Sequence, residues 1–532
     1  MSNRFTQAPV LVLALTALAA SVGFIFGIGG GAYPVIIAFA AVIVGGFIFD
    51  KKLALAGLVT LAVTAVSVAV AGTVMDMSYD GMYFHKQALY NIANGWNPLY
   101  QPLSEVDRFA GLQDLALWLD NYPKGVWSLY GAVYAICGRI EAAKGINILF
   151  VMMLFFSAFD TIKSVFRLRG GMRVVIAAVF AANPVILSQL FTFMNDLPVA
   201  SLVMVCAFLG MKIFAEKADS CDYITLVAAF AASFTTKFTC PVYCGAVLGA
   251  YGVAYAIKVR DLRIIKPCAA VILSAALGVC LLGVDPYIKH MANGQHPVYP
   301  VMGEGKYDIM NTNAPEGFND MPRVKQLAVS LFSQCAPNPG DKAVLKLPFT
   351  VTKAELDAVG APDVRVSGFG VFFSGILLLS LLLAVYAAIK SGKNIAAVPA
   401  AVMFILLALL VPETWWARYN PYIYYIPCLL LLWFAAAGKM RVISYAMSVL
   451  MLVNGVISGV AVYRVFDAKT DMINAKLADM KADGRTVKLN INDFPSHTVW
   501  FDEAGVSYEA ASDAPEGITP EVLYQTTKYW FE

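Results

Sequence analysis

Apolar residues along this chain gather into long runs that short polar stretches separate. Thirteen of these runs approach the roughly 20 residues that a helix needs to cross the hydrocarbon core of a bilayer. We therefore predict an all-α polytopic membrane protein, a bundle of about thirteen transmembrane helices. The predicted spans are 8–27, 33–49, 53–74, 146–162, 173–191, 197–215, 222–239, 241–257, 267–284, 369–389, 395–411, 421–437 and 442–462.

The composition agrees with this pattern. Hydrophobic residues make up 59% of the chain and charged residues only 14%, which is too apolar for a water-soluble globule. The net charge is only +3, and the cations lie between apolar runs rather than on one face. Nucleic acid is therefore excluded as a partner, and the lipid bilayer is the expected surroundings. Because more apolar runs follow the first one directly, we expect that first run to be retained as a span.

The positive charges of the short loops predict the orientation, since such charges favour the cytoplasmic side. They place the amino terminus inside and the carboxyl terminus outside. The apolar segment 124–138 is long enough for a short span, but an interfacial helix on the outer side preserves the charge rule. The cations assigned to the inner side are Arg4, Lys51, Lys52, Lys163, Arg167, Arg169, Arg173, Lys212, Lys217, Lys258, Arg260, Arg263, Lys266, Lys390, Lys393, Lys439 and Arg441.

This topology predicts two domains. Residues 1–462 form the transmembrane module, with long extracytoplasmic loops at about 75–145 and 285–368. Residues 463–532 form a small extracytoplasmic α+β domain. In that domain we expect a helix over 470–483, a strand at VKLNIN, and a final helix that Thr519 caps and Pro520 begins.

Asp80 is the first candidate for chemistry, because it leaves the third span at its outer end. A partly desolvated carboxylate there suits a general base, although Asp80 also fits as the N-cap of the following helix. That helix is amphipathic, and Tyr83, Leu89, Tyr90 and Ile92 are expected to lie on lipid. Trp96, in the aromatic turn behind it, fits either a membrane-belt anchor or a platform for a sugar ring.

Three further charged residues fall on the predicted outer face. Asp196 lies in a very short loop, where it either caps the next helix or joins Asp80 in handling hydroxyl groups. Lys237 and Arg418 run against the inside preference of positive charge, so each calls for a partner. A lipid phosphate is a suitable one, and snorkelling to headgroups in general is the alternative.

Metal and nucleotide sites find little support. His296 and Tyr299 open the second long loop, but the chain has only four His and no HExxH spacing, so zinc is not expected. A divalent cation bound by carboxylates and water stays an alternative. No Gly-rich phosphate loop and no GxSxG elbow occur, which argues against a nucleotide donor and against serine hydrolysis.

Several stretches, taken in order, resemble the GT-C superfamily of integral membrane glycosyltransferases, which includes protein mannosyltransferases and lipid A aminoarabinose transferases. The matching stretches are DGMYFH at 80–85 with GWNPLY behind it, NPVILSQLFTFMNDLP, TTKFT, HPVYPVMG, GFGVFF and WWARYNPY. The resemblance implies a GT-C-like bundle in a bacterial inner membrane and a polyprenyl-phosphate-linked sugar as the donor. The family's Asp-Glu pair is absent, because Gly81 follows Asp80.

The resemblance also implies roles for single residues. Asp80 matches the loop carboxylate that deprotonates the acceptor hydroxyl, and Asp196 matches a second acidic position that contacts sugar hydroxyls or orients the acceptor. Lys237 and Arg418 resemble the cations that grip the donor phosphate, and His85 joins them or bonds the acceptor. The further candidates for substrate binding are Tyr419, His296, Tyr299 and Trp96.

The function implied is an inverting glycosyltransferase that acts on the extracytoplasmic face in glycan, glycolipid or glycoprotein assembly. A transporter or flippase of lipid-linked glycans is the main alternative. It is expected to carry ionisable residues near mid-span, of which these runs have almost none. A polymerase or ligase of lipid-linked glycans is the second alternative.

Overall fold

The structure is a computed structural model that describes residues 2–307, 313–390, 395–438 and 440–531. Two of the inner-side cations, Lys393 and Lys439, lie outside these described residues, as do residues 308–312 of the second long loop. Within the described ranges, seven helices are long and apolar enough to cross a membrane. They are Asn3–Ile25, Lys51–Ala71, Ile140–Phe166, Asp196–Phe214, Thr239–Val259, Leu262–Leu282 and Arg441–Asp483.

Shorter apolar helices account for the other predicted spans. Every predicted span coincides at least in part with a helix, but the count of about thirteen crossings stays a prediction. The predicted span 173–191 is wrong as one helix, because it is interrupted before Pro184, which has no N–H to continue a helix. The shorter helices at predicted spans are Tyr33–Phe49, Gly170–Ala181, Ser220–Ser233, Phe373–Ile389, Val398–Leu410 and Pro421–Ala436. Helix Gly125–Cys137 covers the segment 124–138, and its position at the membrane interface stays a prediction.

Helix Asp196–Phe214 forms the centre of the bundle, because all of its residues are buried. It packs against Thr239–Val259, Ile140–Phe166 and Ser220–Ser233. A helix that is apolar on every side is expected at such a place. Its amino-terminal end therefore holds Asp196 at a fixed point inside the protein.

Ion pairs join the loops at the end where the sequence places the inner side. Lys212 Nζ lies 2.6 Å from an Asp160 carboxylate oxygen and 2.5 Å from one of Asp222. Arg4 Nε lies 2.5 Å from an Asp50 carboxylate oxygen. These loops thus lie together at one end of the bundle, as the alternation of spans requires.

Short helices build the outer regions. The predicted helix after Asp80 is present as Gly81–His85 and Lys86–Ala93. The expectation that this face lies on lipid is wrong for Tyr83, Leu89 and Ile92, which are buried in the protein, and Tyr90 is half-buried. The remaining short helices are Leu103–Val106, Leu115–Asn121, Pro184–Ser188, Val284–Ile288, Lys289–Ala292, Arg323–Leu331 and Lys353–Ala358.

The carboxyl-terminal region contains a four-stranded sheet and helix His497–Ala504. The strands are β1 Val487–Asn490, β2 Tyr508–Ala510, β3 Glu521–Tyr524 and β4 Thr527–Phe531, in the order β2-β1-β4-β3. The predicted strand at VKLNIN is confirmed by β1. The final helix predicted from Thr519 is wrong, since β3 and β4 form a hairpin there and β4 pairs with β1. The predicted boundary at 462/463 falls inside helix Arg441–Asp483.

Candidate functional site

The guanidinium of Arg418 lies at the centre of three carboxylates. Its Nε lies 2.8 Å from an Asp196 oxygen and its Nη1 lies 2.9 Å from an Asp363 oxygen. Its Nη2 forms an ion pair with Asp80. Arg418 is buried, so three charge-assisted hydrogen bonds satisfy a cation that water does not reach freely. These carboxylates hold the pKa of Arg418 far above its ordinary value, although burial alone lowers it.

Asp196 joins Arg418 to a second cation. Lys237 Nζ lies 2.6 Å from the other Asp196 oxygen, and Gln189 Nε2 donates to Asp196 at 3.1 Å. Asn195 takes the N-cap position of the helix, so the expectation that Asp196 serves as a cap is wrong. A capping carboxylate accepts from backbone N–H groups, whereas both Asp196 oxygens face side-chain donors.

Asp80 is the most accessible of the three carboxylates. Its side chain is 23% exposed, against 1% for Asp196 and 17% for Asp363. It makes no side-chain cap bond to the following helix, so the N-cap interpretation is wrong. Burial raises the pKa of Asp80, but the neighbouring positive charge and the hydrogen bond of Arg418 act in the opposite direction, and the resulting pKa lies below its ordinary value.

Asp363 and Arg365 belong to this cluster, although the sequence did not single them out. Trp416 Nε1 donates to Asp363 at 2.8 Å, and Arg365 Nη1 lies 3.5 Å from the same carboxylate. Both come from the end of the second long loop, where charged residues are common. The Asp-x-Arg spacing just before the GFGVFF stretch is the only signal that points to them.

His85 lies beside the cluster as a neutral imidazole. Burial disfavours the imidazolium and lowers the pKa of His85 to about 3. Trp127 Nε1 donates to His85 Nδ1 at 2.7 Å, so the ring proton must be on Nε2. Tyr122 stacks on Trp127 with ring centroids 5.3 Å apart. Aromatic rings therefore hold His85 in place, and its Nε2–H can donate a hydrogen bond to a ligand.

A buried charge cluster fixes the turn that carries Asp80. Glu141 accepts from Lys86 Nζ and from Lys144 Nζ, each at 2.6 Å, and its Oε2 accepts from the Asp76 backbone N–H at 2.8 Å. Asp76 in turn lies so close to Gly81 that a Cβ there would be 2.0 Å from an Asp76 oxygen. A side chain larger than that of glycine therefore has no room at position 81.

The carboxyl-terminal domain packs on the same turn. Ser496 Oγ donates to the Met82 carbonyl at 2.6 Å, and Trp500 Nε1 donates to Glu141 at 2.9 Å. The rings of Tyr79 and Phe494 meet edge to face at 5.3 Å. Asp80 is therefore held between the transmembrane bundle and the carboxyl-terminal domain.

The remaining predicted residues lie at different places. Tyr419 belongs to the cluster, because Lys237 Nζ lies 4.3 Å from its ring centroid. Trp96 is buried, and its Nε1 donates to the Gln101 carbonyl at 3.0 Å. His296 is exposed, and Tyr299 lies 6.0 Å from the ring of His290. No contact in the described residues joins Trp96, His296 or Tyr299 to Arg418, so their part in substrate binding stays a prediction.

The donor set does not suit a divalent cation. Among the described residues there is no group of three or more His, Cys, Asp or Glu side chains placed to hold a metal ion. Asp80, Asp196 and Asp363 converge on one guanidinium, whose charge repels a second cation.

An apolar groove of about 590 Å³ lies between residues 452–465 of helix Arg441–Asp483 and the segment 356–360. Val453, Val456 and Val460 line its length, and Arg464 and Gly360 lie at one end. Behind the segment 359–364, a cavity of about 20 Å³ reaches Arg418. The groove and the charged cluster therefore lie on opposite sides of one short segment.

Comparison with known proteins gives little to set beside this geometry. No family model and no curated protein matches the chain. Among solved structures, it is similar to the arabinofuranosyltransferase AftD from Mycobacteria, at 15% identity and a TM-score of 0.39. The match covers 80% of this chain and 29% of AftD, so the chain spans less than a third of that protein's length. A likeness this weak carries no argument about the site.

Proposed function

We propose that this chain is a GT-C-type glycosyltransferase of a bacterial inner membrane. It moves a sugar from a polyprenyl-phosphate donor to an acceptor hydroxyl on the extracytoplasmic face, with inversion. The observation that carries the proposal is the meeting of Asp80, Asp196, Lys237 and Arg418, from four separate stretches of the chain, in one cluster. This arrangement supports the proposal, because a carboxylate that can act as a base lies beside cations that can bind a phosphate.

The donor phosphate takes the place of Asp80 on Arg418. All three carboxylates share this guanidinium, and the Asp80 side chain is the most exposed of them. An anionic phosphate therefore displaces Asp80 more readily than the deeply buried Asp196. Lys237 provides a second positive charge, and His85 provides a neutral N–H donor.

Displacement from Arg418 turns Asp80 into a stronger base. Without the guanidinium, burial and the nearby Asp196 carboxylate both raise the pKa of Asp80. Asp80 then takes the proton of the acceptor hydroxyl while the acceptor oxygen bonds to the anomeric carbon. The bond between that carbon and the phosphate oxygen breaks, and Arg418 and Lys237 stabilise the second negative charge of the leaving phosphate.

The charges of this step balance. The phosphodiester of the donor carries one negative charge, and the released phosphate monoester carries two. Asp80 loses its own negative charge when it accepts the proton, so the total charge of the site is unchanged. The apolar groove beside the cluster provides room for the donor's hydrocarbon chain, which supports a lipid-linked rather than a water-soluble donor.

Transfer of labelled sugar by the purified protein tests this proposal, with wild type compared to Asp80→Asn. Asparagine keeps the size of the side chain but takes no proton, so transfer falls by roughly a hundredfold to ten-thousandfold. Donor binding, measured separately, persists. The donors are polyprenyl-phosphate sugars of long and of short chain, supplied with membranes that contain acceptors.

The matched control is Asp120→Asn in the same outer region. Asp120 accepts from the Leu103 backbone N–H at 2.8 Å, a bond that asparagine preserves, so transfer by this variant stays at the wild-type rate. Equal transfer by wild type and Asp80→Asn overturns the assignment of the base. Uptake of lipid-linked glycan into vesicles without transfer of any donor overturns the transferase and favours transport.

A further inference from the structure

Two segments of the second outer region leave large parts of their apolar side chains exposed. They are helix Arg323–Leu331 and the extended segment 344–349, and together we name them the apolar platform. Leu347 is 75% exposed, the highest value in the platform. The other exposed large apolar side chains of the platform are Val324, Val344, Leu345 and Phe349.

The outward direction of these side chains is fixed by hydrogen bonds and a buried ion pair. The Lys346 backbone N–H donates to the Phe332 carbonyl at 2.9 Å, which ties the two segments together. The Lys346 ammonium points inward, where it pairs with Glu355. Because neighbouring side chains of an extended segment point to opposite sides, Leu345 and Leu347 face outward. Their exposure is therefore a property of the fold.

The platform lies against the ends of two apolar helices. The Phe349 ring sits over Gly375, in the first turn of helix Phe373–Ile389, where a Cβ would lie 2.3 Å from the ring. Arg323 Nη1 donates at 2.9 Å to the carbonyl of Leu410, the last residue of helix Val398–Leu410. Both helix ends are those that the sequence predicts on the outer side.

The surfaces of these two helices continue the platform. Helix Phe373–Ile389 exposes Leu378, Leu382 and Val385, and helix Val398–Leu410 exposes Leu406 and Leu409. Such a surface suits contact with lipid chains. An exposed apolar patch marks a site of protein or membrane interaction, and continuity with these helices favours the membrane here.

Exposed cations accompany the apolar side chains. Arg323, Lys325, Lys342 and Lys353 lie in or beside the platform and are exposed. Their long side chains reach lipid phosphates while the apolar neighbours enter the acyl region. We propose that the apolar platform inserts into the outer leaflet of the bilayer, with Leu345 and Leu347 among the acyl chains.

Insertion has a consequence for the charged cluster. Glu355, the partner of Lys346, belongs to helix Lys353–Ala358, and the loop after this helix carries Asp363. Arg365 Nη1 donates to the Pro337 carbonyl at 2.9 Å, a second link between the loop and the platform region. A platform held in the leaflet therefore sets the depth of Asp363 and Arg418 at the bilayer surface. The proposal does not depend on glycosyl transfer.

Spin labels in full-length protein in phospholipid nanodiscs test the insertion. The exposed cysteines Cys137, Cys268 and Cys280 are first replaced by serine, and a single nitroxide is placed at Leu347→Cys. Collisions with oxygen, which concentrates in lipid, are compared with collisions with a water-soluble nickel chelate. Leu382→Cys gives the lipid reference, and Glu516→Cys in the carboxyl-terminal domain gives the water reference.

We expect the ratio of oxygen to nickel collisions at Leu347 to match that at Leu382 and to exceed that at Glu516. A ratio equal to that at Glu516 overturns the proposal, because the platform then faces water. Protection from both reagents also overturns it, because a protein surface then covers the platform. Leu345→Cys repeats the measurement at an independent position, and unchanged thermal unfolding of each labelled protein shows that the fold is intact.

Discussion

Replacement of Arg418 by lysine tests whether the three-way contact of the guanidinium matters. Arg418 bonds Asp196, Asp363 and Asp80 through three different nitrogens. Lysine keeps the charge but has one nitrogen on a flexible stem, so it replaces one contact and loses two. At about 1.5–3 kcal/mol for each hydrogen bond to a charged group, the loss is about 3–6 kcal/mol.

We expect this loss to lower both the stability of the fold and the rate of sugar transfer. If one of the two lost contacts is also needed at the transition state, kcat/KM falls at least about tenfold. If both are needed, it falls by about a hundredfold to ten-thousandfold. The measurements are thermal unfolding in detergent and initial rates of sugar transfer for Arg418→Lys. Wild-type values in both would refute the argument that a planar fork is required.

The same substitution at an exposed position provides the control. Arg263 also bonds two carboxylates, those of Asp261 and Glu216, but its side chain is 55% exposed. Exposed ion pairs contribute little, because water and salt screen them. Arg263→Lys is therefore expected to unfold at the wild-type temperature and to transfer at the wild-type rate.

Three further predictions concern the turn that carries Asp80. Glu141→Gln leaves two buried lysines without a counter-charge and destabilises the fold by about 3–5 kcal/mol, seen as a lower unfolding temperature, whereas Glu216→Gln at the surface changes nothing measurable. Gly81→Ala places a Cβ 2.0 Å from a carboxylate oxygen and lowers the unfolding temperature, whereas Gly249→Ala, with open space around it, does not. Because the pKa of Asp80 is lowered in the folded protein, its ion pair stabilises the fold above the ordinary carboxyl pKa and is lost as the pH falls through the lowered value. The difference in unfolding temperature between wild type and Asp80→Asn should therefore be constant near neutral pH and shrink in acid.

The sequence predicted the central part of the cluster because charge is rare in this chain. With only 14% charged residues, each charged side chain at an outer helix end stands out, and the alternation of spans places Asp196, Lys237 and Arg418 on one face. Asp363 and Arg365 were missed because a long polar loop contains many charges, and only the fold shows which of them turn inward. The spacing of charged and apolar residues along the chain does not show which loop residues contact Arg418 in the fold.

The errors in secondary structure have a similar cause. Apolar residues in 519–531 recur at helical spacing, but Gln525 adopts a left-handed backbone angle of φ 52° and divides the segment into two strands. Tyr, Trp and Thr favour strands, and pairing with β1 decides between the two structures. In the same way, Leu89 and Ile92 fit a helix on lipid, but the protein itself covers them. The local pattern correctly predicts that a helix has an apolar face, but it does not show whether lipid or protein covers that face.

In the proposed mechanism, the charges around Arg418 let one site hold both a base and a phosphate. An isolated buried Asp80 would tend to bind a proton, and an isolated buried Arg418 would be costly to desolvate. When Asp80 and Arg418 are paired, both groups remain charged. A donor phosphate can then replace Asp80, the more exposed carboxylate, on Arg418. Asp196 stays bound to Lys237 and Arg418 during that exchange, because its side chain is only 1% exposed and Gln189 also holds it. In the proposed mechanism, the buried carboxylate thus positions the cations, and the more exposed one is released to act on the acceptor.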